Sequence, residues 1–315
     1  MIRIGSRGSA LARWQAEHIA AQLRARGHQV SIEILATTGD RMEHTPFLEV
    51  GTKGMFTKEI EEALADGRID LAVHSLKDLP TEMPEEFVIA CIPARADARD
   101  AFVSASFAGI SALPVGAVVG TSSLRRQAQF RAIRPDLEVR ELRGNVDTRL
   151  RKLEQGKYDA IVLAAAGLDR LQMTQWVRAR FTPQEMCPAA GQGALAIECR
   201  VDDPITMKFV AALDHRPTRF AVTVERAVLA TLEGGCHVPV GVHCEPMDAM
   251  DKGWLVTAVV AYPDGSRVLR EQVELGNYED NLVRAREAGR AIALQLLGRG
   301  AGEMLAGTAS ENASA

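Results

Sequence analysis

Short apolar, β-branched runs alternate with stretches of helical periodicity along the first two-thirds of the chain, and no other feature restricts its fold as much. Residues 2–4, 30–35 and 69–73 read as strands. Between the first two, Ser9 stands where an N-cap belongs, Leu11, Trp14, Ile19 and Leu23 share one half of a helical wheel, and Gly27 stops the helix. Residues 57–65 read as a further helix, closed by Asp66-Gly67. A second alternation starts near Arg99, with strands at 115–120, 137–142 and 159–164. One helix opens at Thr121-Ser122-Ser123 and stops at Arg134-Pro135, and another covers residues 146–154. Strand followed by helix followed by strand predicts α/β layers with mainly parallel sheets, in which ligands gather beyond the carboxyl ends of strands. Residues 74–80 lie at one such end.

Near Pro217 the pattern changes. A helix to Leu232 precedes strands at 238–242, 254–261 and 268–273, and a last helix carries Leu282, Ala285, Gly289, Ile292 and Leu296 at a 3/4 repeat. That order predicts a separate α+β domain. Residues after about Leu305 are small and polar and read as a disordered tail, and no internal sequence repeat is evident. Ala189-Ala190-Gly191-Gln192-Gly193 reads as a hinge before a further strand at 194–198.

The 315 residues suffice for two or three domains, and 47% hydrophobic with 25% charged residues excludes a disordered chain. The formal net charge of −4 argues against a general nucleic-acid coat. The longest apolar stretch, about nine residues at 160–168, falls far short of the roughly 20 that span a bilayer. The start reads as a strand rather than a secretory signal. Five cysteines, odd in number and scattered without a C-x-x-C pair, predict a reducing, cytoplasmic setting rather than a disulfide framework.

Three features could carry chemistry. The first is basic: residues 125–151 hold eight arginines, at 125, 126, 131, 134, 140, 143, 149 and 151, against four acids. A guanidinium grips carboxylate or phosphate through two parallel hydrogen bonds, and several of these arginines stand near helix starts, where backbone N–H groups favour anions. The set, with Arg7 at a strand end, describes a site for a ligand with many negative groups; taken singly, Arg131 and Arg134 fit a solvated helix face. Nucleic acid is the rival polyanion, but only Phe130 offers a stacking platform there, and no phosphate-binding loop motif occurs. The second is Asp78, beside Lys77 and before Pro80, which could meet a cation or a ligand N–H, or could cap its own turn. The third is Cys236 after Gly234-Gly235. It could join His237, His243 and Cys244 at zinc, although adjacent ligands on a strand make poor geometry. It could also be a nucleophile, an attachment point for a covalent group or an ordinary thiol.

Six motifs occur in order: residues 73–80 (VHSLKDLP), 120–127 (GTSSLRRQ), 142–145 (LRGN), 166–170 (AGLDR), 191–194 (GQGA) and 232–236 (LEGGC). On these the chain closely resembles the porphobilinogen deaminase family over nearly its full length. The resemblance implies two α/β domains like those of periplasmic binding proteins, flanking a cleft, plus a smaller C-terminal α+β domain. It implies residues 1–93 with 194–211 as the first domain, 99–187 as the second, 216–306 as the third, and 307–315 as the tail. It implies joining of four porphobilinogen molecules head to tail, with loss of ammonia, on a dipyrromethane held by a thioether, for which the matching thiol is Cys236.

By the same resemblance, Asp78 is the catalytic aspartate, which stabilises the cationic azafulvene left when ammonia departs. Each pyrrole brings an acetate and a propionate, and Arg7, Arg125, Arg126, Arg143, Arg149 and Arg170 bind these carboxylates. Ser9, Lys53, Ser75, Thr121, Ser122, Ser123 and Gln192 lie nearby, and Lys77 and Gly144 belong with the cofactor contacts. Thr38 and Glu49 depart from the family pattern, which has basic residues there, so the lid segment at 40–56, with Lys53 and Phe56, is expected to handle substrate differently. No metal, nucleic acid or membrane partner is expected, and the enzyme reads as a monomer. A non-catalytic polycarboxylate binder would explain the arginines but neither Cys236 nor Asp78 among cations.

Overall fold

β1 (Ile2–Arg7) pairs in parallel with β2 (Val30–Leu35), and α1 (Ala10–Arg24) makes the crossover between them. The computed structural model describes residues 1–37, 57–232, 238–247, 253–276 and 281–306. Ser9 starts α1 as expected, its hydroxyl accepting the Ala12 N–H at 3.3 Å. The buried stripe of the helix is Gln15, Ala16, Ile19, Ala20 and Leu23. Leu11 and Trp14 are only half-buried, and Trp14 stacks on His18 at 4.9 Å. Small alanines let the helix settle onto the sheet, a preference that ranking residues by hydrophobicity misses.

α2 (Lys58–Ala65) leads into β3 (Leu71–Ser75), which pairs in parallel with β1, and β4 (Phe87–Cys91) follows. Between β3 and β4 lies β10 (Leu195–Arg200), antiparallel to both, so the sheet order is β2-β1-β3-β10-β4. Its alternating side chains build two cores. Ile4, Leu71, Val73, Leu195 and Ile197 meet α1 on one face, and Leu35, Ala72 and Phe87 meet Ile60, Ala63 and Leu64 of α2 on the other. α6 (Pro204–Ala211) adds Val210 to the first core. These elements belong to one compact unit, Met1–Ala96 with Ala194–Arg219.

The second unit is Asp97–Gly193 with Phe220–Ala315. In it, β5 (Asp100–Val103), β6 (Val118–Gly120), α3 (Leu124–Ile133), β7 (Glu138–Arg140), α4 (Val146–Glu154), β8 (Ala160–Ala164), α5 (Ala165–Arg170) and β9 (Val177–Arg180) form a sheet of order β7-β6-β8-β5-β9. Its plan repeats the first: three parallel strands in the order second, first, third, then one antiparallel strand and a last one. The repeat is topological, and the residues do not show it. The strand expected at 115–120 begins only at Val118, because Gly116 (φ 76°) turns the chain and leaves Val115 83% exposed.

The same unit holds an antiparallel sheet of β11 (Val240–Pro246), β12 (Trp254–Ala261) and β13 (Val268–Leu275), packed on α8 (Leu282–Gly298) and on the part of α7 (Arg216–Thr231) from Phe220 onward. Phe220, Val224 and Val228 share a core with Val242, Val256, Ala258, Ile292 and Leu296. Asn281 caps α8, its Oδ1 accepting the N–H groups of Val283 (3.0 Å) and Arg284 (3.1 Å). The expected α/β sheets and the smaller α+β sheet are therefore all present. Among the described residues no helix is long and apolar enough to cross a membrane, and the expected tail at 307–315 lies outside them.

Candidate active site

In the first unit, β1 and β3 end side by side, so the segments after them leave the same sheet edge. β1 ends on half-buried Arg7, and half-buried Ser9 follows. β3 ends on Ser75, whose hydroxyl accepts from Gln15 Nε2 at 2.9 Å, and a single 3₁₀ turn follows, Leu76–Asp78, with half-buried Lys77. Leu76 and Leu79 are buried, and the Leu76 N–H donates to Ala194 O at 3.0 Å, which pins the turn from beneath. Asp78 is exposed between them. No hydrogen bond or ion pair to its carboxylate is found among the described residues, so the turn does not consume it as a cap. Behind the turn, buried His74 and Glu198 meet at 2.9 Å across β3 and β10, a pair that sequence reasoning missed.

In the second unit, the carboxyl ends of parallel β7, β6 and β8 carry the basic residues. Thr121 is buried and its hydroxyl accepts the Ser123 N–H at 3.2 Å, while the Ser122 hydroxyl donates to Leu142 O and joins the two neighbouring loops. Ser123 occupies the N-cap of α3, yet its side chain makes no capping bond. The first N–H groups of that helix have no intrahelical acceptor.

Arg125 and Arg126 follow, 4% and 6% exposed, and both reach Asp100, which is fully buried at the start of β5. Arg126 is fully engaged: Nε (3.0 Å) and Nη2 (2.6 Å) bond Asp100 Oδ1, and Nη1 bonds Val162 O (3.0 Å). Arg125 uses only Nη1, toward Asp100 Oδ2 (2.7 Å) and Cys187 O (2.6 Å); its Nε and Nη2 have no partner among the described residues. Gln192 completes the cluster, its amide donating to Ala98 O (2.7 Å) and Asp100 Oδ1 (2.9 Å). Burial by itself would raise the Asp100 pKa, but the charges of Arg125 and Arg126 outweigh it and hold the carboxyl below its usual range. Two arginines and one aspartate leave a surplus positive charge with one open guanidinium edge at a helix start.

The remaining candidates flank this cluster. Arg143 bonds Glu141 through Nε at 2.7 Å, Gly144 is in left-handed backbone (φ 109°), and Arg149 Nε donates to Gly144 O at 2.6 Å. Arg170 donates to Gly193 O at 2.7 Å, and burial pushes its pKa down to about 10. Arg131 is half-buried, and its Nη1 donates to Pro263 O at 2.6 Å. Arg134 is spent on Asp136, Ile110 O and Leu113 O. Asp100 escaped the sequence reading, although a lone aspartate opening an apolar strand signals a buried cation nearby.

Lys53, Cys236, Thr38, Glu49 and the expected lid lie outside the described residues. Burial pushes the thiols of Cys91, Cys187 and Cys199 up to about 12, which makes them poor nucleophiles. Among the described residues no group of histidine, cysteine and carboxylate side chains could hold a metal. His243, one of the zinc candidates, lies instead 3.5 Å from both Glu225 and Glu245.

Comparison with known proteins yields two family matches. "Porphobilinogen deaminase, dipyromethane cofactor binding domain" covers residues 2–208, and "Porphobilinogen deaminase, C-terminal domain" covers residues 219–298. Similar solved structures include the methionine binding protein MetQ, 12% identical over 67% of this chain and 89% of that one, with a TM-score of 0.45. A periplasmic substrate-binding protein of an ABC transporter from Coxiella burnetii is 16% identical over 72% and 97%, with a TM-score of 0.43. The fold stands on the topology described above, and the family on the two matches, which together span nearly all of the sequence. The chain belongs to the porphobilinogen deaminase family.

Proposed function

We propose that Asp78 is the catalytic carboxylate, Cys236 the thioether anchor, and the arginine set around α3 the carboxylate grip of this hydroxymethylbilane synthase. The family reaction is tetrapolymerisation of porphobilinogen to linear hydroxymethylbilane on a dipyrromethane cofactor, in tetrapyrrole biosynthesis. The donor set fits a dipyrromethane, whose rings carry acetate and propionate arms: an open Arg125 edge, the uncommitted Ser123 hydroxyl and the first N–H groups of α3. When bound, the cofactor supplies the nucleophilic pyrrole end from which the chain grows.

Every added unit brings two more negative charges, so one guanidinium is insufficient and Arg7, Arg143, Arg149 and Arg170 take further carboxylates. By the family likeness, Ser9, Lys53, Ser75, Lys77, Thr121, Ser122, Gly144 and Gln192 are assigned further cofactor or substrate contacts, Arg126 and Gln192 acting through the Asp100 cluster. The exposed Asp78 carboxylate accepts the substrate pyrrole N–H and opposes the positive charge that develops as ammonia leaves. An Asp78 oxygen then assists loss of the ring-carbon proton after the new bond forms. We also read residues 1–93 with 194–211, 99–187 and 216–306 as three domains, and the enzyme as a cytoplasmic monomer without nucleic-acid or membrane partners. The buried Cys91, Cys187 and Cys199 thiols suit a reducing compartment.

The observation that carries this reading is the buried Arg125 with an unused edge at the start of α3. Intact-mass measurement tests its covalent half. Purified protein is expected to exceed its polypeptide mass by a dipyrromethane, and Cys236→Ser to lack the addition. Polypeptide mass alone after apoprotein is incubated with porphobilinogen, or an addition that survives Cys236→Ser, would overturn it.

A further inference from the structure

The helix that begins with the anion-facing residues is held at its other end by the C-terminal sheet. Arg131 Nη1 donates to Pro263 O at 2.6 Å, in the turn between β12 and β13. Two residues on, Gly265 has φ 76° and closes that turn by donating to Tyr262 O at 2.9 Å. A Cβ at 265 would lie 2.6 Å from Ala132 N and 2.8 Å from Arg131 C. Both are helix backbone atoms that cannot rotate aside, so any side chain at 265 must displace α3 or the turn.

A second brace lies nearer Arg125. Gln129 holds both backbone polar groups of Cys187, its Oε1 accepting the Cys187 N–H at 2.8 Å and its Nε2 donating to Cys187 O at 3.2 Å. Cys187 O is the same atom that receives Arg125 Nη1, and Cys187 Sγ reaches Thr257 O on β12 at 3.4 Å. The C-terminal sheet thus touches α3 at its last turn and, through Cys187, at Arg125. All of these residues belong to the second compact unit, and β11 begins four residues after Cys236.

We infer that Gly265 is a positioning residue for the polymerisation: its missing side chain lets the β12–β13 turn seat on the end of α3, which fixes where the open edge of Arg125 stands. The inference rests on the reading of Arg125 as a carboxylate grip. Ala132 lies seven residues along the helix from Arg125, about 10 Å of rigid rod, so a shift at the turn reaches the guanidinium largely undamped.

Steady-state kinetics of cofactor-loaded holoenzymes test it, with porphobilinogen as substrate and thermal melts alongside. Gly116→Ala is the control, because Gly116 has the same φ of 76° with nothing within 4 Å of the added carbon. It is expected to lower Tm and keep wild-type kcat/KM. Gly265→Ala is expected to lower kcat/KM by about tenfold or more, chiefly through KM, since misplacement by about 1 Å can cost a hundredfold. Arg131→Met, which removes the tie to Pro263 without adding bulk, is expected to move KM the same way, and it carries the test if Gly265→Ala does not fold. Wild-type kcat/KM in Arg131→Met, or a Gly265→Ala effect no larger than that of Gly116→Ala, would overturn the positioning role. Arg125→Gln separates the two ideas. A raised KM there leaves the grip standing whatever Gly265 does, whereas an unchanged KM overturns the grip and this inference with it.

Discussion

Asp100 is one carboxylate serving two guanidinium groups and one amide inside the second sheet. Its pKa is depressed in the folded state, so the stability it contributes is fully present above its unfolded value, about 3.9, and is lost as pH falls toward the folded one. Asp100→Asn strands two buried arginines and is expected to cost about 3–5 kcal/mol at neutral pH. Urea unfolding measures it, and the gap between variant and wild type should narrow below about pH 4. Equal stability at pH 7 would deny Asp100 this role. Residue type made the arginines visible in the sequence, and spacing two from an acid explains Arg140 on Glu138 and Arg143 on Glu141. The partner of Arg125 was not visible, because Asp100 lies 25 residues away and meets it only through the sheet.

At the scale of elements, the long periodic segments were legible. β12 has the bounds that its pattern predicts, α8 contains the whole 3/4 repeat, and α1 differs only in which face it buries. β4, β5 and β9 were not, because four or five residues hold too few repeats to show a period, and pairing rather than propensity makes them strands. β10 shows how much pairing matters. It fills the gap between β3 and β4 and supplies Leu195, Ile197 and Cys199 to the core, although it follows the whole second sheet in sequence. A chain ended after Gly193 is therefore expected to lose the first sheet, with no cooperative melt and no protected amides in residues 71–75 by hydrogen exchange. Protected amides there would show that β10 is dispensable.

For the whole molecule, the family and its chemistry were legible because six motifs stand as contiguous strings. The compact units divide at residues 96–97, 193–194 and 219–220, and the C-terminal sheet shares a unit with the arginine-bearing one. Asp78 belongs to the first unit and Arg125 to the second. The account assigns charge stabilisation to the former and carboxylate grip to the latter, so each should fail separately. Turnover of Asp78→Asn, purified with its dipyrromethane verified by mass, tests this most directly. The account predicts a fully loaded, folded protein slower by about 10²–10³-fold; a loaded variant that turns over near the wild-type rate would contradict it.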